Sequence, residues 1–199
     1  MIISTGMADL VEIEEAIDAA SSGGCKELAI LHCVSAYPAV ADDYNLRTIE
    51  DMRERYRLVT GLSDHKISNV TAIASVAMGS SIIEKHFTLN RQGGGPDDSF
   101  SLEPSDLRQL CDDAKVAWNS IGKIHYQRKN SELENLKFRR SLYFVKDLQS
   151  GDLITPDAVR SIRPGFGLAP KYLDRIIGKK VNKKVSFGDR VTRELVQDF

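Results

Sequence analysis

The sequence predicts an α/β protein: four strand–helix repeats forming a parallel sheet, then a small β-rich module. Three observations carry this. Over the first 122 residues, short apolar runs alternate with segments of helical periodicity. The apolar runs are continuous, which is the pattern of parallel strands covered on both faces. After Gly122 the composition turns polar, then breaks into short β-type runs separated by glycine turns.

The elements follow in order. Residues 2–5 are short, apolar and β-branched, a first strand. Asp9 is placed to cap a helix with Leu10, Ile13 and Ile17 on one face and Glu12, Glu14, Glu15 and Asp18 on the other. Gly23-Gly24 ends it. Residues 28–31 are the second strand, and Leu46, Ile49 and Met52 mark the second helix. Residues 58–62 are the third strand. Val70, Ile73, Val76 and Ala77 mark the third helix, stopped near Gly79. Residues 81–83 are the fourth strand. A fourth helix carries Leu107, Leu110, Cys111, Ala114, Ala117, Trp118 and Ile121, and Gly122 ends it. Either a doubly wound sheet or part of a (β/α)₈ barrel satisfies this order. Both collect function at the C-terminal ends of the strands. Those ends read Ser4-Thr5-Gly6-Met7, His32-Cys33-Val34-Ser35, Ser63-Asp64-His65 and Glu84-Lys85-His86, all polar.

The division expected is 1–122 for the α/β part, 123–137 for a polar linker and 138–199 for the β-rich module. In that module KDLQSGDLIT and KVSFGDRVT look alike, and one short helix lies near 170–176. At about 60 residues it is near the lower limit for independent stability and is expected to dock on something.

A net charge of -1 with no long basic run gives no reason to expect nucleic acid. No apolar run approaches the length of a membrane span. MIISTGMADL lacks the basic and apolar regions of a secretory signal. Cys25, Cys33 and Cys111 are odd in number and unpatterned, so buried, reduced thiols in the cytoplasm are expected.

His65 and His86, on adjacent strand ends, can ligate one divalent metal. Asp64 and Glu84 beside them can ligate, orient an imidazole or move a proton. The plainer alternative is a pair of hydrogen-bonded rim histidines. Ser4, Ser35 and Ser63, each at a strand end, together suit a phosphate or carboxylate; singly each reads as a cap or turn residue. The loop GGGPDDSF follows the last strand, where Asp97 can reach a polar ligand. Arg163 precedes a rigid turn in IRPGFG and reads as a solvated arginine.

Together, STGMA at 4–8, HCVSAYPA at 32–39, GLSDH at 61–65, IIEKHFTLNR at 82–91 and GGPDDSFSLEP at 94–104 resemble the sialic acid synthase family. RRSLYFVKDLQSGD and RSIRPGFGLAPKYLDRIIGKK resemble that family's C-terminal SAF domain, an antifreeze-like β-clip module. The wording is closer to pseudaminic acid synthases than to N-acetylneuraminate synthases. The resemblance implies a (β/α)₈ TIM barrel, of which this chain holds strands five to eight, followed by the SAF domain. It implies condensation of phosphoenolpyruvate with an N-acetylated amino sugar and release of phosphate. For pseudaminic acid the sugar is 2,4-diacetamido-2,4,6-trideoxy-altrose; N-acetylneuraminate or legionaminic acid synthesis is the alternative. An inactive remnant or a sugar-binding module is the second alternative.

Residue by residue, the resemblance implies that His65 and His86 hold Mn²⁺, or Mg²⁺ or Co²⁺. Glu84 becomes an acid/base or orienting group at the reacting carbons. Ser4, Ser35 and Ser63 contact phosphoenolpyruvate, and Tyr37 and Asp97 line the sugar pocket. Arg163 reaches the sugar in the other subunit of a domain-swapped homodimer. Two positions depart from the family pattern: Lys66 stands where Thr is usual and Asn90 where Asp is common. A barrel amidohydrolase fits less well, because the chain has no His-x-His.

Overall fold

Continuous apolar runs separated by amphipathic helices give the expected alternation. In the computed structural model, which describes residues 1–37 and 39–199, β1 is Ile2–Ser4, β2 Ala29–Cys33, β3 Val59–Asp64 and β4 Ile82–Lys85. Between and after them lie α1 Leu10–Ser22, α2 Arg47–Tyr56, α3 Val70–Ala77 and α4 Pro104–Ile121. Pro38, in the HCVSAYPA stretch, lies outside the described residues. The chain falls into two units, Met1–Ile124 and His125–Phe199.

In the first unit all strands are parallel, in the sequential order β1-β2-β3-β4. The first helix begins where its sequence says it should. The Asp9 carboxylate accepts from the Glu12 amide at 3.0 Å, and Glu12 returns the favour to the Asp9 amide at 2.9 Å. Pro104 opens α4, and Arg91 grips Glu103 and Asp106 there at 3.1 and 2.8 Å, which ties down the loop after β4.

Residues paired in a parallel sheet share a face. His32, Leu62 and Ile83 are in register, and Leu62 packs with Ile49 of α2, Ala72 of α3 and Leu110 of α4. This is the helix-covered side. Ser4, Leu31, Gly61 and Ile82 share the other face, followed by Cys33, Ser63 and Glu84. That second face is open toward the N-terminal ends of the strands: Ile2 is 57% and Val59 49% exposed. The strands are therefore not covered on both faces, as continuous apolarity predicts. Leu31 is nonetheless fully buried, because its side chain lies across Gly61. On α4 only Leu110 is fully buried, and Trp118 and Ile121 are exposed, so its apolar stripe is wider than the surface it covers.

In the second unit β5, Ser141–Phe144, pairs antiparallel with β6, Val159–Ile162. The two look-alike segments meet through the single bridge of Leu148 with Val185, and Leu153 bridges Lys180 just ahead of the second segment. Leu142, Phe144, Ile154, Ile176 and Val181 form the core. A 3₁₀ turn at Pro170–Tyr172 leads into α5, Leu173–Ile176. Of the polar stretch 123–137, Asn130 onward forms 3₁₀ turns through Phe138.

The near-zero total charge is a sum of opposites. Residues 1–124 carry 11 Lys and Arg against 19 Asp and Glu, net -8; residues 125–199 carry 16 against 9, net +7. Cys33 is buried, but Cys25 is partly exposed and Cys111 exposed, so the expectation of buried thiols holds for one of three. Among the described residues no helix is long and apolar enough to cross a membrane.

Candidate active site

The strand ends carry two triplets, Ser63-Asp64-His65 and Glu84-Lys85-His86. A strand turns successive side chains to opposite faces, so the outer members of each triplet share a face and the middle member leaves it. The outer members meet. Ser63 and Glu84 are in register, and the Ser63 hydroxyl donates to Glu84 Oε1 at 2.7 Å. His65 and His86 follow, with ring centroids 5.2 Å apart and edge to face. These four outer members line a cavity of about 180 Å³, whose lining also includes Lys85 although its ammonium turns to the helix side.

The surroundings fix these groups. His65 is buried, and its Nδ1 lies 3.0 Å from the Val34 carbonyl. A carbonyl only accepts, so Nδ1 carries the proton and Nε2 holds the lone pair, with the Tyr37 hydroxyl 3.5 Å from it. Tyr37 stacks on His65 at 4.4 Å, and Phe100 stands edge-on to His86 at 5.0 Å. Asp97 Oδ2 is 3.7 Å from His86 Nδ1. Six of the residues named from the sequence thus meet here: Tyr37, Ser63, His65, Glu84, His86 and Asp97.

The other three do not. Ser4 is exposed at the end of β1, on the same sheet face. Ser35 lies against Cys33, Oγ to Sγ 3.8 Å, and so close to Gly6 that a Cβ there would sit 2.0 Å from its hydroxyl. Arg163 is an exposed residue of the second unit.

The middle members correct the sequence reading. Asp64 neither faces the cavity nor touches an imidazole. It is fully buried on the helix side, where it accepts from the Lys85 ammonium at 3.0 Å, the Thr71 hydroxyl at 2.9 Å, the Lys66 amide at 3.1 Å and the Tyr44 hydroxyl. Burial, and then Asp64 itself, push the Tyr44 pKa well above its ordinary value. His32 also turns to the helix side, against the Tyr44 carbonyl. Sequence reasoning missed Tyr44, Lys85 and Phe100. The signal for Lys85 was available: between Glu84 and His86, period two sends it away from both. Nothing local marks Phe100 or Tyr44.

Among the described residues no group of three or more His, Cys, Asp and Glu is gathered as a metal cluster. The candidate donors are the two imidazoles with Glu84 alongside.

Comparisons with known proteins give the family. Residues 1–126 match the NeuB family and residues 139–196 the SAF domain. A pseudaminic acid synthase of Campylobacter jejuni is 35% identical over 94% of this chain and 55% of its own length. An N,N'-diacetyllegionaminic acid synthase of the same species is 34% identical over 98% of this chain and 59% of its own. The chain thus spans between half and two thirds of the length of these relatives. Among solved structures, the N-acetylneuraminic acid synthetase of Leptospira borgpetersenii, in complex with citrate, superposes with a TM-score of 0.61. It is 33% identical and covers 69% of this chain and 48% of its own. The spore coat polysaccharide biosynthesis protein SpsE of Bacillus subtilis superposes with a TM-score of 0.57 at 26% identity, over 98% of this chain and 60% of its own. With the histidine and carboxylate strand ends lying inside the matched region, the chain belongs to the NeuB family of sialic and pseudaminic acid synthases.

Proposed function

We propose that this chain carries the histidine–carboxylate side of a nonulosonic acid synthase site, on strands five to eight of a (β/α)₈ barrel. The enzyme would condense phosphoenolpyruvate with 2,4-diacetamido-2,4,6-trideoxy-altrose, releasing phosphate and giving pseudaminic acid. The observation that carries this is the Ser63–Glu84 bond set beside two imidazoles on neighbouring parallel strands. The sequential order of four parallel strands is also that of a barrel arc.

Two imidazoles on adjacent strand ends offer part of the donor set a divalent ion needs. His65 has its tautomer fixed by Val34, which leaves Nε2 to coordinate. His65 and His86 would hold Mn²⁺, or Mg²⁺ or Co²⁺, and imidazole with carboxylate suits such ions. Bound there, the ion supplies Lewis-acid polarisation of the sugar aldehyde oxygen.

The chain's own groups do the rest. The enol carbon of phosphoenolpyruvate bonds to the aldehyde carbon, water adds at the carbon bearing phosphate, and phosphate departs. Glu84, oriented by Ser63, sits where a proton must be held or moved at those carbons. Tyr37 and Phe100 wall the site with aromatic surface, and Asp97 reaches toward the sugar. Ser4, on the same sheet face, and Ser35, beside Cys33, would extend the phosphoenolpyruvate contact beyond the gathered residues. Arg163 would meet the sugar from the other subunit of a domain-swapped homodimer.

The test is phosphate release by the polypeptide purified from its own cells, with phosphoenolpyruvate and each candidate sugar in turn. Release with the altrose derivative, lost with chelator and lost in His86→Ala, is expected. Preference for N-acetylmannosamine or the legionaminic precursor would reassign the sugar. Full turnover in excess chelator would remove the metal, and no release with any sugar would overturn the reading.

A further inference from the structure

The middle residues of the two triplets form a buried clamp. Lys85 and Asp64 pair at 3.0 Å with side chains 3% and 0% exposed. The Lys85 ammonium also donates to the Lys66 carbonyl and, at 3.3 Å, to the Ser68 carbonyl. Asp64 accepts from the Lys66 amide at 3.1 Å. Both polar groups of the Lys66 main chain are therefore held by this pair, immediately after His65. Lys85 itself sits between Glu84 and His86.

We propose that Lys85 and Asp64 are positioning residues that set the spacing between His65 and His86. The inference rests on the metal reading above only for its consequence, not for its geometry. One ammonium on β4 anchors the loop that carries the β3 histidine. Moving Lys85 therefore moves His65 relative to His86 and leaves both imidazoles chemically intact. A pair of this kind is a poor choice for stability alone. Buried ion pairs are often replaced by uncharged groups without loss, whereas removing a single partner is costly. That asymmetry separates the two roles.

The test compares Lys85→Met, Asp64→Asn and the double variant in the full 199-residue chain. Melting temperature, Mn²⁺ affinity by electron paramagnetic resonance and a crystal structure without metal are the readouts. Each single variant should melt lower. The double variant should recover most of that loss yet bind Mn²⁺ at least about tenfold more weakly, the effect typical of losing an outer-shell partner. Its His65–His86 ring spacing should depart from 5.2 Å. If the double variant does not fold, Asp64→Asn alone keeps the shape of the site and serves for both binding and spacing. A variant that regains both wild-type Mn²⁺ affinity and the ring spacing overturns the proposal. If His65→Ala leaves wild-type Mn²⁺ binding unchanged, the metal reading falls instead. Ring spacing in the metal-free crystal then decides the clamp alone.

Discussion

Replacing Gly61 with Ala should deform the site without touching it. A Cβ at 61 would lie 2.3 Å from the Ile82 carbonyl oxygen on β4 and 2.5 Å from Leu31 Cδ2. Leu31 is a side chain and can turn; the carbonyl belongs to a strand hydrogen-bonded to β3. Contacts to Cβ under 3.0 Å essentially do not occur, so β4 must retreat by the difference, about 0.7 Å. Glu84 and His86 stand two and four residues further along. The Ser63–Glu84 bond would stretch from 2.7 Å toward 3.4 Å if the whole strand moves. Overpacking of this kind costs about 1–3 kcal/mol, which for a unit of 124 residues is about 4–12 °C in Tm. Differential scanning calorimetry reads the shift and a crystal structure of the variant reads the bond. A variant melting within 1 °C of wild type with the Ser63–Glu84 bond intact would refute the reasoning.

Ser63→Ala removes the donor that orients Glu84; a hydrogen bond to a charged group is worth about 1.5–3 kcal/mol, so turnover should fall about ten- to a hundredfold with KM little changed, read by phosphate release. Tyr44 retains its proton in the folded chain above its ordinary pKa of 10. The unfolded chain then binds fewer protons than the folded one, and stability should decline as pH rises from about 10. Tyr44→Phe, though less stable at pH 7 for want of the Asp64 bond, should flatten that decline in urea melts at pH 9 to 11. Thiol labelling of the native protein should modify Cys111 rapidly and Cys33 only on unfolding, since the first is exposed and the second buried; equal rates would contradict the burial described.

The order of strands and helices was legible because local signals agree: Asp9 caps α1, and Gly122 terminates α4. The site was legible in part. Ser63, His65, Glu84 and His86 could be gathered from period two and adjacent strand ends. Asp64 was misread because adjacency in sequence looks like adjacency in space, whereas in a strand it is the reverse. Phe100 arrives from a loop whose path no local pattern fixes. The exposure of Ile2, Val59 and Trp118 was also hidden. Apolarity says that a surface favours cover; it does not say what covers it.

The alternation at the ends of β3 and β4 has a consequence for how such a site can change over evolutionary time. A one-residue deletion within β3 would bring Asp64 to the slot of Ser63 and Lys66 to that of His65, while Leu62 moved across the sheet. A single codon lost there exchanges the site's chemistry for its scaffold. Loops tolerate length changes cheaply by comparison. Insertions and deletions in this lineage should therefore accumulate in connections away from the site, such as residues 23–28 between α1 and β2, and leave the strand ends changing by substitution alone.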